Sequence, residues 1–258
     1  MAEILSPLAF AVAAWWSATG LLLWLHGRPA RARRGTLIGA SLAAVVATAG
    51  LVASRNDDSV GAAYGAFACA LVVWGWVEVT FLLGYVTGPR RAACPEGAAG
   101  WRRFLYACEV VVHHEFLIAG SALLVAAATA GGGNRVGLYA FLILWVMRLS
   151  AKLNLFLGVR NSGVEFLPER MRYLASYFPR RRLNPLFPLT VAAASAAVAW
   201  LAPALDGGGA SATEVAGQGL LATLMGLAVL EHWFMVLPVP SAGLWSFCLR
   251  RPAGARGL

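Results

Sequence analysis

Apolar residues gather in seven runs along the chain, and short polar connections separate the runs. They cover residues 5–25, 36–53, 61–87, 103–130, 137–158, 185–204 and 214–237. A helix needs roughly 17–25 mostly apolar residues to cross a bilayer, and each run is that long. The pattern therefore predicts an all-α protein, a polytopic helical membrane bundle of about seven transmembrane helices that forms a single domain over residues 1–258.

The composition agrees with this prediction. Hydrophobic residues make up 59% of the 258 residues and charged residues 13%, against averages of roughly 45–50% and about 25% in soluble globular proteins. So few charges cannot cover a water-soluble surface. An ordinary soluble enzyme, a disordered chain and a secreted disulfide scaffold are therefore excluded.

The cations are distributed unevenly among the connections. All of them except Arg55, Arg135, Arg148 and Lys152 lie in the first, third and fifth connections or in the C-terminal tail. Because cytoplasmic loops carry an excess of Lys and Arg, this alternation predicts an N-terminus outside and a C-terminus in the cytoplasm. The net charge of +9 resides in short loops beside apolar runs, which favours anionic lipid headgroups as partners and not nucleic acid.

The longest connection, from about 159 to 184, contains a second helical pattern. Pro168 is favoured in the first turn of a helix, and Met171, Leu174, Ala175 and Phe178 then fall on one face. The pattern predicts a cytoplasmic interfacial helix over 167–178 that lies in the lipid headgroup layer. The alternative is a simple connector.

Ionisable residues inside the predicted spans are the candidate site, because a charge in the bilayer is costly and by default indicates function. Those predicted to form one buried cluster are Glu78, Glu109, His113, His114, Glu115, Glu231 and His232, with Arg148, Lys152 and Asn154 as their charge and polar partners. At 1.5 Å per residue they all lie roughly 5–18 Å from the cytoplasmic end of their spans. Four helices thus present charges at one depth.

Four uses of this cluster remain open. Carboxylates and imidazoles at helical spacing hold divalent metal ions in helical bundles, although the usual Glu-x-x-His signature is absent from this sequence. An imidazole from the fourth or seventh span could be the axial ligand of a haem or a bacteriochlorophyll. The cluster could also be a proton or ion path, or Arg148 and Lys152 could simply neutralise some of the carboxylates.

Five segments resemble one known family, the PuhE-type photosynthetic complex assembly proteins. They are 112–117 (VHHEFL), 145–159 (WVMRLSAKLNLFLGV), 166–170 (FLPER), 176–178 (SYF) and 184–188 (NPLFP). The resemblance implies a multi-pass protein of the bacterial inner membrane. This membrane would be either the cytoplasmic membrane or the intracytoplasmic photosynthetic membrane. Such proteins are encoded alongside the gene for the H subunit of the photosynthetic reaction centre. The family offers no established ligand or catalytic residues for transfer to this chain.

The resemblance implies a non-catalytic accessory factor. Its role would be to assemble the reaction centre and core antenna, whose subunits would be its partners, or to supply bacteriochlorophyll to them. The alternative is a membrane metalloenzyme or redox protein whose buried Glu/His site acts on a tetrapyrrole or a lipid. The sequence contains no Ser/His/Asp arrangement, phosphate-binding loop or dinucleotide fingerprint that would favour an enzyme.

Overall fold

In the computed structural model, which describes residues 2–202 and 209–238, the chain forms an antiparallel series of long helices. Their bounds are α1 Ala2–His26, α2 Arg33–Ser54, α3 Val60–Leu82, α4 Gly100–Ala128, α5 Val136–Leu157, α6 Leu186–Leu201 and α7 Ala212–Val236. The 3₁₀ helices Ala30–Ala32, Val164–Phe166 and Glu169–Tyr177 lie in the described connections. The described residues contain no β-strand. The predicted all-α class and polytopic helical membrane architecture are therefore confirmed.

Each predicted run coincides with one helix, but the helices differ in length. Six of the described helices are long and apolar enough to cross a membrane. The helix α6 has 16 residues, which at 1.5 Å per residue gives about 24 Å, less than the roughly 30 Å of the hydrocarbon core. The end of the predicted run 185–204 lies outside the described residues. The count of seven spans stays a prediction.

The helix α3 occupies the centre of the bundle. It packs against α1, α2, α4, α5 and α7. In the most apolar stretch of α3, 56% of the residues are buried, whereas in that of α1 only 11% are buried. The core around it includes Phe67 and the edge-on pair of Trp74 and Phe141, whose ring centroids are 5.5 Å apart. At Gly137 on α5 a Cβ atom would lie 2.9 Å from the carbonyl oxygen of Ala66, so α5 approaches the α3 backbone closely.

Alternate connections meet at the same end of the bundle. At one end, the backbone N–H of Asn134 donates to the carbonyl of Arg55, and the hydroxyl of Thr213 donates to the carbonyl of Asp58. At the other end, Arg170 donates to the carbonyls of Leu82 and His26. The arginine-rich connections therefore lie together, as the charge alternation requires. Which end faces the cytoplasm stays a prediction.

The helix α3 ends at Leu82, five residues before the end of the predicted run 61–87. Gly84 adopts the left-handed conformation with φ 79°, and the carbonyl of Thr80 accepts bonds from the backbone N–H groups of Tyr85 and Val86. These bonds cap the helix and turn the chain back towards α4. The apolar residues after Leu82 thus extend the hydrophobic run without extending the helix.

The segment predicted to be interfacial is the 3₁₀ helix Glu169–Tyr177. Met171, Leu174 and Tyr177 are buried and pack in one cluster with Phe81 of α3 and Val110 of α4. The apolar face that the sequence assigned to lipid therefore contacts protein, because the turn after α3 and the start of α4 lie beneath it. The location of this segment in the headgroup layer stays a prediction.

Candidate functional site

The centre of the candidate site is an ion pair between α3 and α5. The Nη2 atom of Arg148 lies 2.8 Å from Oε2 of Glu78. The side chain of Glu78 is 5% exposed and that of Arg148 is 44% exposed. The pair therefore connects the interior of the bundle to its surface. A buried carboxylate is tolerated only when it is paired and hydrogen-bonded, and Arg148 supplies that partner.

A second ion pair joins α5 to α4. The Nζ atom of Lys152 lies 2.5 Å from Oε1 of Glu115, and both side chains are mostly buried. Arg148 and Lys152 stand four residues apart on α5, so their side chains lie on one helix face. That face presents two cations to two carboxylates on different helices.

His114 is buried without the hydrogen bonds that a buried histidine usually makes. Its side chain is fully buried, and its ring stacks on Phe81 with centroids 4.3 Å apart. Neither ring nitrogen has a hydrogen-bond partner, and the same is true of Oε1 of Glu78. The Nε2 atom of His114 and Oε1 of Glu78 face each other at 3.9 Å, which is too long for a hydrogen bond. If these two atoms moved about 1 Å closer, they would form a hydrogen bond.

The segment that follows α3 bonds to the backbone of α4 beside His114. The N–H of His114 donates to the carbonyl of Thr87, at 2.9 Å, and the carbonyl of Glu109 accepts from the N–H of Arg90, at 3.3 Å. Both partners belong to the segment that follows α3 and not to α4. At Gly88 a Cβ atom would lie 2.0 Å from the carbonyl oxygen of Glu109, so only glycine allows this approach. Helices bend where another group inserts into their hydrogen-bond ladder, and such sites are frequently functional.

His232 and Asn154 belong to a polar group on the α6 side in which only Oδ1 of Asn154 has no hydrogen-bond partner. The Nδ1 atom of His232 lies 2.8 Å from the carbonyl of Ala228, so Nδ1 carries the proton, and Nε2 accepts from the hydroxyl of Ser150 at 2.9 Å. The amide of Asn154 donates to the carbonyl of Ser150 and to the hydroxyl of Thr190. Both ring nitrogens of His232 therefore make hydrogen bonds, one within α7 and one to α5.

Glu231 reaches the bundle surface beside Arg148. Its side chain is exposed although it lies on α7 about 8 Å from the helix end. Arg148 and Glu231 are close enough to attract each other electrostatically. A cation and an anion thus reach the surface inside a predicted span, where lipid solvates neither well.

Two predicted members lie apart from the cluster. Glu109 is exposed, and its carboxylate is 3.8 Å from the guanidinium of Arg90. His113 is also exposed. Glu109 and His113 stand four residues apart and share one face of α4, and that face points out of the bundle.

Two ion pairs, Arg148 with Glu78 and Lys152 with Glu115, connect the described side chains of the candidate site. Within residues 2–202 and 209–238, no three His, Cys, Asp or Glu side chains converge in a way that could hold a metal ion. The ring of His114 stacks on Phe81 and its side chain is fully buried. His113 alone among the predicted imidazoles is exposed on the bundle. The metal and pigment hypotheses stay predictions.

Sequence reasoning missed the polar side chains that hold the helix ends around the site. Asn184 is buried, donates to the carbonyls of Asn154 and Gly158, and accepts from two backbone N–H groups at the start of α6. Arg103 donates to the carbonyls of Phe156 and Tyr177. The Asn-Pro pair at 184–185 was a signal for Asn184, because Asn commonly caps helices. No pattern indicated the partners of Arg103.

A family of proteins of unknown function, DUF3623, matches the chain over residues 1–255. The chain belongs to this family. It is also 38% identical over 244 residues, covering 91% of this chain and 87% of the relative, to a Rhodobacter capsulatus protein described as an uncharacterized 30.4 kDa protein in the puhA 5′ region. No solved structure matches this DUF3623 chain.

Proposed function

We propose that this DUF3623 protein is an accessory factor for assembly of the photosynthetic reaction centre and core antenna, or for bacteriochlorophyll supply to them. The relative's description, which mentions the puhA 5′ region, supports a photosynthetic context. The five resembling segments support the same context, since they resemble proteins encoded beside the gene for the reaction-centre H subunit. On this proposal the protein resides in the bacterial photosynthetic membrane.

The observation that carries the proposal is the exposure of Arg148 and Glu231 on two helices long enough to span a membrane. Charged side chains exposed on a span are unfavourable in lipid, whereas a second membrane protein can cover them and offer polar partners. A docking factor needs such a surface inside the membrane. An enzyme needs its polar site open to substrate, and the most buried members here, Glu78 and His114, are closed off by protein.

A complementation experiment tests the proposal. The gene is deleted in a phototrophic host and replaced by the wild-type gene or by Glu231→Gln, and complexes are measured by absorption and by immunoblot of reaction-centre subunits. The deletion should lower the reaction centre and core antenna while respiratory growth continues. Glu231→Gln should reduce them several-fold with normal abundance of the variant itself, because Glu231 is exposed and its loss leaves no buried charge unpaired.

The matched control is Glu109→Gln, which changes an exposed glutamate on a different helix. It should leave complex levels unchanged. The bacteriochlorophyll content of the membranes separates the two roles, since a supply function predicts free pigment or its precursors when complexes fall. Normal accumulation of complexes in the deletion strain would refute the proposal.

A further inference from the structure

A small cavity lies at the end of the bundle where the arginine-rich connections meet. Its volume is about 250 Å³, and it is lined by Arg33, Leu83, Gly84, Thr87, Arg91, Arg170, Met171 and Tyr173. Arg33 begins α2, and Leu83 and Gly84 directly follow α3, so the cavity lies at the level where two membrane-spanning helices end. The mostly buried site of Glu78 and His114 is not part of it.

The lining carries three guanidinium groups, and none of the described residues that line it is Asp or Glu. The Nε atom of Arg33 is buried without a hydrogen-bond partner. Burial lowers the pKa of Arg170, and the positive charge of Arg33 lowers it further. The cavity therefore concentrates positive charge that the protein itself does not neutralise.

The position of Arg170 is fixed by the helix ends. Its Nε and Nη2 atoms donate to the carbonyls of Leu82 and His26, which are otherwise unsatisfied at the ends of α3 and α1. Gly84 lies so close that a Cβ atom there would be 3.4 Å from Cδ of Arg170. A guanidinium has five N–H donors, so Arg170 can hold these carbonyls and still face a ligand.

We propose that this cavity binds a phosphate group at the membrane boundary. Guanidinium groups match the oxygens of phosphate geometrically and electrostatically. The hydroxyls of Thr87 and Tyr173 also line the cavity, where they make long hydrogen bonds to the carbonyl of Gly88, at 3.4 Å, and to Sδ of Met171, at 3.9 Å. The volume is below the roughly 300–1,000 Å³ typical of cofactor pockets, so it fits a headgroup and not a tetrapyrrole ring. The phosphate can come from an anionic lipid or from a soluble phosphate.

The test uses the full-length purified protein and two probes. In nanodiscs of phosphatidylcholine, phosphatidylglycerol is added in increasing fraction, and thermal unfolding is followed by tryptophan fluorescence. In detergent, inorganic phosphate is titrated against chloride at constant ionic strength. The variants are Arg33→Gln and Arg91→Gln, with Arg34→Gln as the control. Arg34 is an exposed arginine on the same helix that does not line the cavity.

One probe should stabilise the wild-type protein saturably, and each cavity variant should bind it on the order of tenfold more weakly, because a charge-assisted hydrogen bond is lost. Saturation by phosphatidylglycerol alone assigns the site to lipid, and saturation by inorganic phosphate assigns it to a soluble ligand. Arg34→Gln should bind within about twofold of the wild type. Should Arg33→Gln fail to fold, the exposed Arg91 still provides the test. The proposal fails if neither probe saturates or if Arg34→Gln weakens binding as much as the cavity variants.

Discussion

The guanidinium of Arg148 lies 2.8 Å from the carboxylate of Glu78 and connects α5 to the central helix of the bundle. Glu78 is 4% exposed in the whole residue, so Arg148 is the group that makes its charge tolerable. On its other side Arg148 reaches the surface, where Glu231 attracts it. Arg148 therefore contributes both to the packing of α3 against α5 and to the charge on the exposed surface beside Glu231.

We predict that Arg148→Gln destabilises the protein. Removing one partner of a buried ion pair typically costs about 3–5 kcal/mol. We expect about 3 kcal/mol here, because Arg148 is only partly buried and Lys152 also attracts Glu78. Thermal unfolding in detergent and protein abundance in membranes measure the loss. The double variant with Glu78→Gln should recover part of it, since no charge is then left unpaired, and a double variant less stable than Arg148→Gln would contradict this account.

We predict that His114→Leu separates stability from function. An unsatisfied buried polar group costs about 1–3 kcal/mol, so replacing His114 by an apolar side chain of similar size should leave thermal stability equal or higher. Levels of reaction centre and core antenna should nevertheless fall, because an imidazole kept at such a cost beside Glu78 indicates a role other than packing. Immunoblots and absorption spectra of the complemented deletion strain measure both quantities.

His113→Gln is the matched control for His114, because the two histidines are adjacent but only His114 is buried. Its stability should equal that of the wild type. Loss of complexes in His113→Gln with normal levels in His114→Leu would shift the function to the outer face of α4, where an exposed imidazole could ligate a pigment. Normal levels in both variants would end the ligand hypothesis for this helix.

We predict that Gly88→Ala is among the most damaging small substitutions in the chain. The added Cβ would lie 2.0 Å from the carbonyl oxygen of Glu109 and 2.6 Å from the carbonyl carbon of Val110. Because both are backbone atoms, the segment must leave α4, at a cost of about 3 kcal/mol or more. At Gly120, which lies on α4, an added Cβ would have no neighbouring atom within 4 Å, so Gly120→Ala should leave stability unchanged. Equal abundance of the two variants would show that the segment is not fixed against α4.

Hydropathy predicted the helices well because a span must be apolar along its whole length. The apolar run 61–87 continues beyond the end of α3, where Leu83, Tyr85 and Val86 leave the helix and fold back. Apolar residues give the same hydropathy signal whether lipid or protein covers them. Met171 and Leu174 illustrate the same ambiguity, since their helical face packs on α3 and α4.

The candidate site was partly predictable for a related reason. The cost of burying charge singled out Glu78, Glu115, Arg148 and Lys152 from sequence. In the structure Arg148 pairs with Glu78 and Lys152 pairs with Glu115. Helical spacing placed Glu109 and His113 on one face, but it contains no information on whether that face is turned inward. The backbone bond from His114 to Thr87 joins two separate segments, and no local pattern encodes such a contact.

Finally, we predict that the arginine-rich end of the bundle is cytoplasmic. The connections that contain Asp57 and Gly131 meet at one end, and those that contain Ala99 and Arg181 belong to the other. Single cysteines at these four exposed positions, in a variant without native cysteines, should react with an impermeant maleimide only at Asp57 and Gly131 in intact cells. All four should react once the membrane is opened. Labelling of Arg181 from outside would invert the topology and move the arginine cavity to the outer leaflet, because loop cations are retained on the side from which the helices insert.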